Sequence, residues 1–190
     1  MTFNKSNIIC TPENQDISNA ERKMKTILLI LGPNGVGKST TAKIILEKMP
    51  HTALVDSDWC RAMNPYNMDT VILNTYGLIK NYLNCIKINT VIFHYGFHGD
   101  RKKRFDTVMA KLREDGIIFV ISTVILTCSL DENITRAQKD SRNDERIKRG
   151  IENTFHYYDG YDYPKIDTMN LTAPQVAEKI IDLYNKEITI

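Results

Sequence analysis

The stretch LGPNGVGKST, residues 31–40, constrains the fold more than any other because of what flanks it. Upstream, TILLIL (Thr26–Leu31) is apolar and β-branched without alternation, the pattern of a strand buried on both faces. Downstream, Ala42, Ile45, Leu46 and Met49 recur at three- and four-residue steps, the pattern of an amphipathic helix. The segment reads strand, glycine loop, helix. Gly32, Gly35 and Gly37 allow positive φ and close approach of backbone to a ligand, which a Cβ would obstruct. Successive N–H groups then converge on an anion, helped by the partial positive charge at the helix start.

Gly32-x-x-x-x-Gly37-Lys38-Ser39 matches the P-loop in the strand-to-helix context that motif requires. Lys38 can reach the β and γ phosphates of a nucleoside triphosphate, and the Ser39 hydroxyl can ligate Mg²⁺. The expected cofactors are ATP and Mg²⁺. The expected nucleotide contacts are Gly32, Asn34, Gly35, Val36, Gly37, Lys38, Ser39 and Thr40.

With 190 residues and 42% hydrophobic content, the chain suits a single domain over 25–190 after a polar, loosely ordered extension at 1–24. A net charge of +2 is too small for a dedicated nucleic-acid coat. No apolar stretch is long enough to span a bilayer, and the N-terminus lacks the apolar core of a signal peptide. Cys10, Cys60, Cys85 and Cys128 form no CxxC pair, so they read as reduced packing thiols rather than zinc ligands. A cytoplasmic protein, monomer or homodimer, is expected.

Beyond the glycine loop, strand and helix patterns alternate. TALVD (Thr52–Asp56) and NTVIFHY (Asn89–Tyr95) read as strands. The helix between them carries Val71, Thr75, Leu78, Ile79, Tyr82, Leu83 and Ile86 on one face. Asp100 caps a helix with Phe105, Val108, Met109 and Leu112 facing in, ended by Gly116. IIFVISTVIL (Ile117–Leu126) is the longest apolar run and predicts a central strand. YPKIDTM (Tyr163–Met169) predicts the last strand, and Thr172-x-x-Gln175 opens the final helix as a capping box. Alternation throughout argues for an α/β fold, a parallel sheet covered on both faces.

A P-loop names the phosphate donor and leaves the acceptor open. LVDSDWCRAMNP (Leu54–Pro65) begins where the second strand ends, and ligands of open α/β sheets bind beyond the carboxyl ends of strands. If the segment stays extended, Asp56 and Asp58 project the same way, because side chains alternate with period two. One can orient Mg²⁺ or its water shell while the other accepts a hydrogen bond from an attacking hydroxyl.

P-loop, DxD-type carboxylates and a late arginine-rich segment together resemble the small P-loop phosphotransferases. These include shikimate kinase, gluconate kinase, chloramphenicol phosphotransferase and the kinase domain of polynucleotide kinases. The resemblance covers about residues 25–187 and implies a three-layer fold with a five-stranded parallel sheet, order 2-3-1-4-5. It also implies that Asp56 and Asp58 serve magnesium and the substrate hydroxyl. LDENITRAQKDSRNDERIKRG (Leu130–Gly150) holds 11 charged residues among the 20 from Asp131, so it reads either as a solvated helix or as the family's lid, about 129–153. A closing lid would stabilise the transferring charge and exclude water. By resemblance Arg136 packs on adenine and Arg142, or its neighbour Arg146, contacts phosphate.

The pattern also departs from the family. The third strand ends in His94 and Tyr95 rather than in an acid, which leaves magnesium to Asp56 or Asp58 and disfavours a motor ATPase. His94 and His98 read as satisfied histidines near the acceptor rather than as a metal pair. RKKR (Arg101–Arg104) reads as a solvated basic turn, with an anion-holding role as the alternative. The expected function is transfer of the γ-phosphoryl of Mg·ATP to a hydroxyl of a small molecule. A nucleotide or polynucleotide kinase and a non-catalytic nucleotide switch are the competitors.

Overall fold

The computed structural model describes residues 24–139 and 143–188. The extension expected over 1–24 lies outside them except for Met24, as does Arg142. In chain order the elements are β1 (Thr26–Leu31), α1 (Lys38–Lys48), β2 (Thr52–Asp56), a 3-10 turn at Trp59–Arg61 and α2 (Met68–Asn84). Then come β3 (Thr90–His94), α3 (Arg101–Glu114), β4 (Val120–Thr127), α4 (Leu130–Lys139) and α5 (Asp144–Gly150). A 3-10 segment at Glu152–Tyr158 leads to β5 (Lys165–Asp167) and α6 (Ala173–Ile188). The strands form one parallel sheet in the order β2-β3-β1-β4-β5, as the resemblance implies.

Every residue of β1 is buried, which is why its sequence shows no polar alternation. Its side chains alternate between two cores. Ile27, Leu29 and Leu31 pack with Ile79, Leu83, Val108 and Met109 of α2 and α3. Leu28 and Ile30 pack with Ala42, Ile45, Val176 and Ile180 of α1 and α6. Two apolar layers of this kind fix the register of the central strand, because a one-residue slip would exchange the two faces. β1 therefore holds the glycine loop at the middle of the sheet's carboxyl edge.

Some boundaries differ from the sequence reading. The apolar run at 117–126 enters the sheet only at Val120, and Ile118 is 80% exposed. β4 lies between β1 and β5, while the position at the sheet's centre belongs to β1. Ile86 falls beyond the end of α2 and is exposed. Of the Thr172–Gln175 capping box one arm forms: the Thr172 N–H donates to Gln175 Oε1 at 2.8 Å. Cys60, Cys85 and Cys128 are free thiols. Among the described residues, no helix is long and apolar enough to cross a membrane.

The charged segment after β4 is two helices with a small core of their own. Ala137, Ile147 and Ile151 are buried together, flanked by Leu130 and Ile134.

Candidate active site

The glycine loop has the strained geometry its sequence requires. Gly32, Gly35 and Gly37 take φ of 139°, 87° and 102°. A Cβ on Gly32 would sit 2.4 Å from the Leu126 carbonyl oxygen of β4, whereas one on Gly37 would meet nothing within 4 Å. Gly32→Ala is therefore expected to cost about 3 kcal/mol or more, and Gly37→Ala about 1–2 kcal/mol from its backbone conformation alone. Urea unfolding of the two variants measures the difference; equal losses would show that the Leu126 contact is not what fixes Gly32.

α1 begins at Lys38 behind Gly37, with no side-chain cap and no acid in its first turn. Its opening N–H groups are left to an anion. Lys38 Nζ donates to the Gly32 and Pro33 carbonyl oxygens at 2.9 and 2.7 Å, so the amine lies across the loop. Ser39 and Thr40 are exposed on the first turn, while the Val36 side chain is buried in the α1–α6 core and anchors the loop. Asn34 meets the end of α5: a Cβ on Gly150 would come 3.0 Å from its Nδ2. The loop and the end of α5 are thus in contact.

The two aspartates part company. Asp56 ends β2 with its side chain 18% exposed, and its Oδ1 accepts the Asp58 N–H at 2.8 Å. The chain turns at Ser57, so Asp58 is not in an extended segment; it precedes the 3-10 turn, 72% exposed, and pairs with Arg61. Parallel projection by strand alternation is therefore not what places Asp58.

Beside Asp56, on the paired residue of β3, stands His94, with Nε2 3.6 Å from Asp56 Oδ2. That nitrogen is buried without a hydrogen bond. Burial lowers the His94 pKa, against the pull of Asp56, and Lys38 lowers it further. His98 Nδ1 is also buried and unpartnered. Neither histidine is satisfied in the way the sequence suggested, and among the described residues no group of three His, Cys, Asp or Glu could hold a metal.

Burial, then Arg101, Lys38 and Arg61, push the His98 pKa down to about 4. The unfolded chain takes that proton near pH 6.5, before the folded protein does. Between pH 6.5 and 4 the unfolded state thus binds more protons, so stability falls as pH falls through that window. Urea melts should show this slope, shared with His94, and His98→Gln should flatten it. An unchanged slope would mean that His98 is solvated.

On α4, Arg136 donates to Glu132 at 2.8 Å and to the Thr168 hydroxyl and carbonyl at 3.0 and 3.1 Å. It is fixed between α4 and the loop after β5. Tyr158, which the sequence reading passed over, is buried and accepts the Phe97 N–H at 2.9 Å. The Gly32 N–H favours the same phenolic oxygen, although burial outweighs both and raises its pKa. Tyr158 thereby holds the loop after β3 from the segment that follows α5.

Next to Asp56 and His94 a cleft opens, bordered by Ser57 after β2 and Tyr95 after β3. Arg61, Arg101 and Arg104 line it. The reading of RKKR as a solvated turn is corrected here: Lys102 pairs with Asp106 at 2.7 Å and Lys103 is exposed, but the two arginines face the cleft. Only their common helix face, three residues apart, could have signalled this.

No family model and no curated protein matches the chain. Solved structures do. The tunicamycin resistance protein of Deinococcus radiodurans is similar with a TM-score of 0.62 at 20% identity, over 84% of this chain and 95% of that one. Shikimate kinase from Acinetobacter baumannii, solved with shikimate, is similar with a TM-score of 0.54 at 15% identity, over 87% of this chain and 96% of that one. The chain has the fold of the small P-loop kinases.

Proposed function

We propose that the protein is a phosphotransferase that moves the γ-phosphoryl of Mg·ATP to a hydroxyl of a small-molecule acceptor. The observation that carries this reading is that one carboxyl edge of the sheet bears the glycine-loop cradle after β1, the Asp56–His94 pair that ends β2 and β3, and a cleft bordered by the next residues, Ser57 and Tyr95. The residues present fit the donor. Gly37 leaves the start of α1 uncapped, and magnesium in such sites takes one or two side chains together with phosphate oxygens rather than a full protein cage.

Bound at the loop, Mg·ATP supplies the phosphoryl group and the metal that offsets its charge. The loop N–H groups and Lys38 hold the β and γ phosphates, Lys38 leaving the Gly32 and Pro33 carbonyls to do so. Ser39 would hold magnesium, with Asp56 on its water shell. Asp56 Oδ1 is fixed by the Asp58 N–H, so Oδ2 is the oxygen left to orient the acceptor hydroxyl and receive its proton. Asp58 acts through Arg61. Arg136 borders the adenine, and Arg142 is the lid cation for the transferring group.

The test is incubation of the full chain with Mg·ATP and a library of hydroxyl metabolites, read by mass spectrometry. A product heavier by one phosphoryl group and absent with Lys38→Met supports the reading. Nucleotide binding with no product from any acceptor would favour a switch protein.

A further inference from the structure

The cleft beside Asp56 has an unusual balance of charge. It is narrow and open to solvent, and the space closed off inside it, about 20 Å³, holds about one water. Its floor is apolar, with Val71, Ile72, Phe93, Phe105 and Val108. Three arginines and no carboxylate line it. Arg61 and Arg104 have acids on the solvent side, Asp58 and, at 3.9 Å, Asp100, both mostly exposed. Arg101 has no ion pair among the described residues; its guanidinium lies 5.9 Å from the centre of the Tyr95 ring.

Buried cations are normally paired, and three guanidinium groups turned toward one cleft repel each other. Burial first, and Arg61 next, make the charged form of Arg101 costly. The first turn of α3 holds basic residues and no acid, against the helix dipole. A solvated basic turn would spread its charge outward, as Lys102 and Lys103 do. An anion in the cleft removes the repulsion, and a guanidinium fork matches the paired oxygens of a carboxylate or phosphate. A net charge of +2 gives no broad surface for a nucleic acid.

Resting on the phosphotransferase reading, we infer that the acceptor carries an anionic head, a carboxylate or a phosphate ester, on an apolar or aromatic body. Arg101 grips the head, with Arg61 and Arg104 beside it. The body lies on the apolar floor around Phe93 and Phe105. The hydroxyl end would lie at the border of the cleft formed by Ser57, the residue after Asp56.

Three probes with one body and different heads test it: benzoate, phenyl phosphate and benzyl alcohol, titrated into the full chain at low salt by calorimetry or ligand-observed NMR. At least one anionic probe should bind tenfold or more tighter than benzyl alcohol. Arg101→Gln and, separately, Arg104→Gln should weaken that binding tenfold or more. Unchanged affinity for a non-hydrolysable ATP analogue shows that each variant is folded. The tighter of the two anions identifies the head. Equal binding of benzyl alcohol, no binding of either anion, or undiminished anion binding in both variants overturns the inference. Phosphoryl transfer is read separately: anion binding that needs Arg101, without transfer to any hydroxy acid or hydroxylated phosphate ester, supports the anion site and removes the kinase reading.

Discussion

Lys38→Met is expected to give a folded protein whose phosphoryl transfer is lower by about 10³-fold or more. The magnitude follows from losing a preorganised positive charge where negative charge builds up in a water-poor site. The fold should survive because Lys38 leaves the glycine loop from the first turn of α1 and is only partly buried, while Val36 and Ala42 beside it carry the packing. Methionine keeps most of the length of the side chain and removes the charge. Thermal melting should therefore shift by a few degrees at most, while a coupled ADP assay falls to background. Near-normal turnover by the folded variant would end the kinase reading, since no other described cation lies across the loop.

The glycine loop was legible in the sequence and the arginine-lined cleft was not, for a physical reason. Gly32, Gly37, Lys38 and Ser39 act through one short stretch of backbone, so their spacing carries their geometry. The unbroken apolar run of β1 likewise reports burial on two faces. The proposed acceptor cleft is assembled from Arg61 after β2 and from Arg101 and Arg104 on α3, residues that meet only when β2 and β3 pair. Net charge shows none of that. DSD puts two carboxylates at a strand end, but the point where a strand turns is set by tertiary packing, and the turn at Ser57 separates them. After β4, the small core of Ala137, Ile147 and Ile151 was hidden because its members lie far apart in the chain among charged neighbours.

The separation of the two aspartates makes the second large effect specific. Asp56→Asn should lower turnover by about 10²–10⁴-fold, the usual contribution of a positioned acid or base. Asp58→Asn should lower it far less and act mainly on the concentration of acceptor needed. Asp56 is held at the end of β2 by the Asp58 N–H, and its Oδ2 points to the buried side beside His94. An asparagine there keeps the shape but cannot take a proton, and the lost interaction belongs to the transition state more than to the bound substrate. Asp58 is solvated and pairs with Arg61, so its loss frees an arginine at the cleft and leaves the reacting centre intact. Measured kcat and KM for both variants, with ATP affinity from an independent titration, separate the cases. If Asp58→Asn destroys kcat and Asp56→Asn spares it, the base is Asp58 and the turn at Ser57 must rearrange when substrates bind. If Asp56→Asn instead abolishes ATP affinity, its carboxylate serves the metal first, and proton removal falls to another group at the cleft.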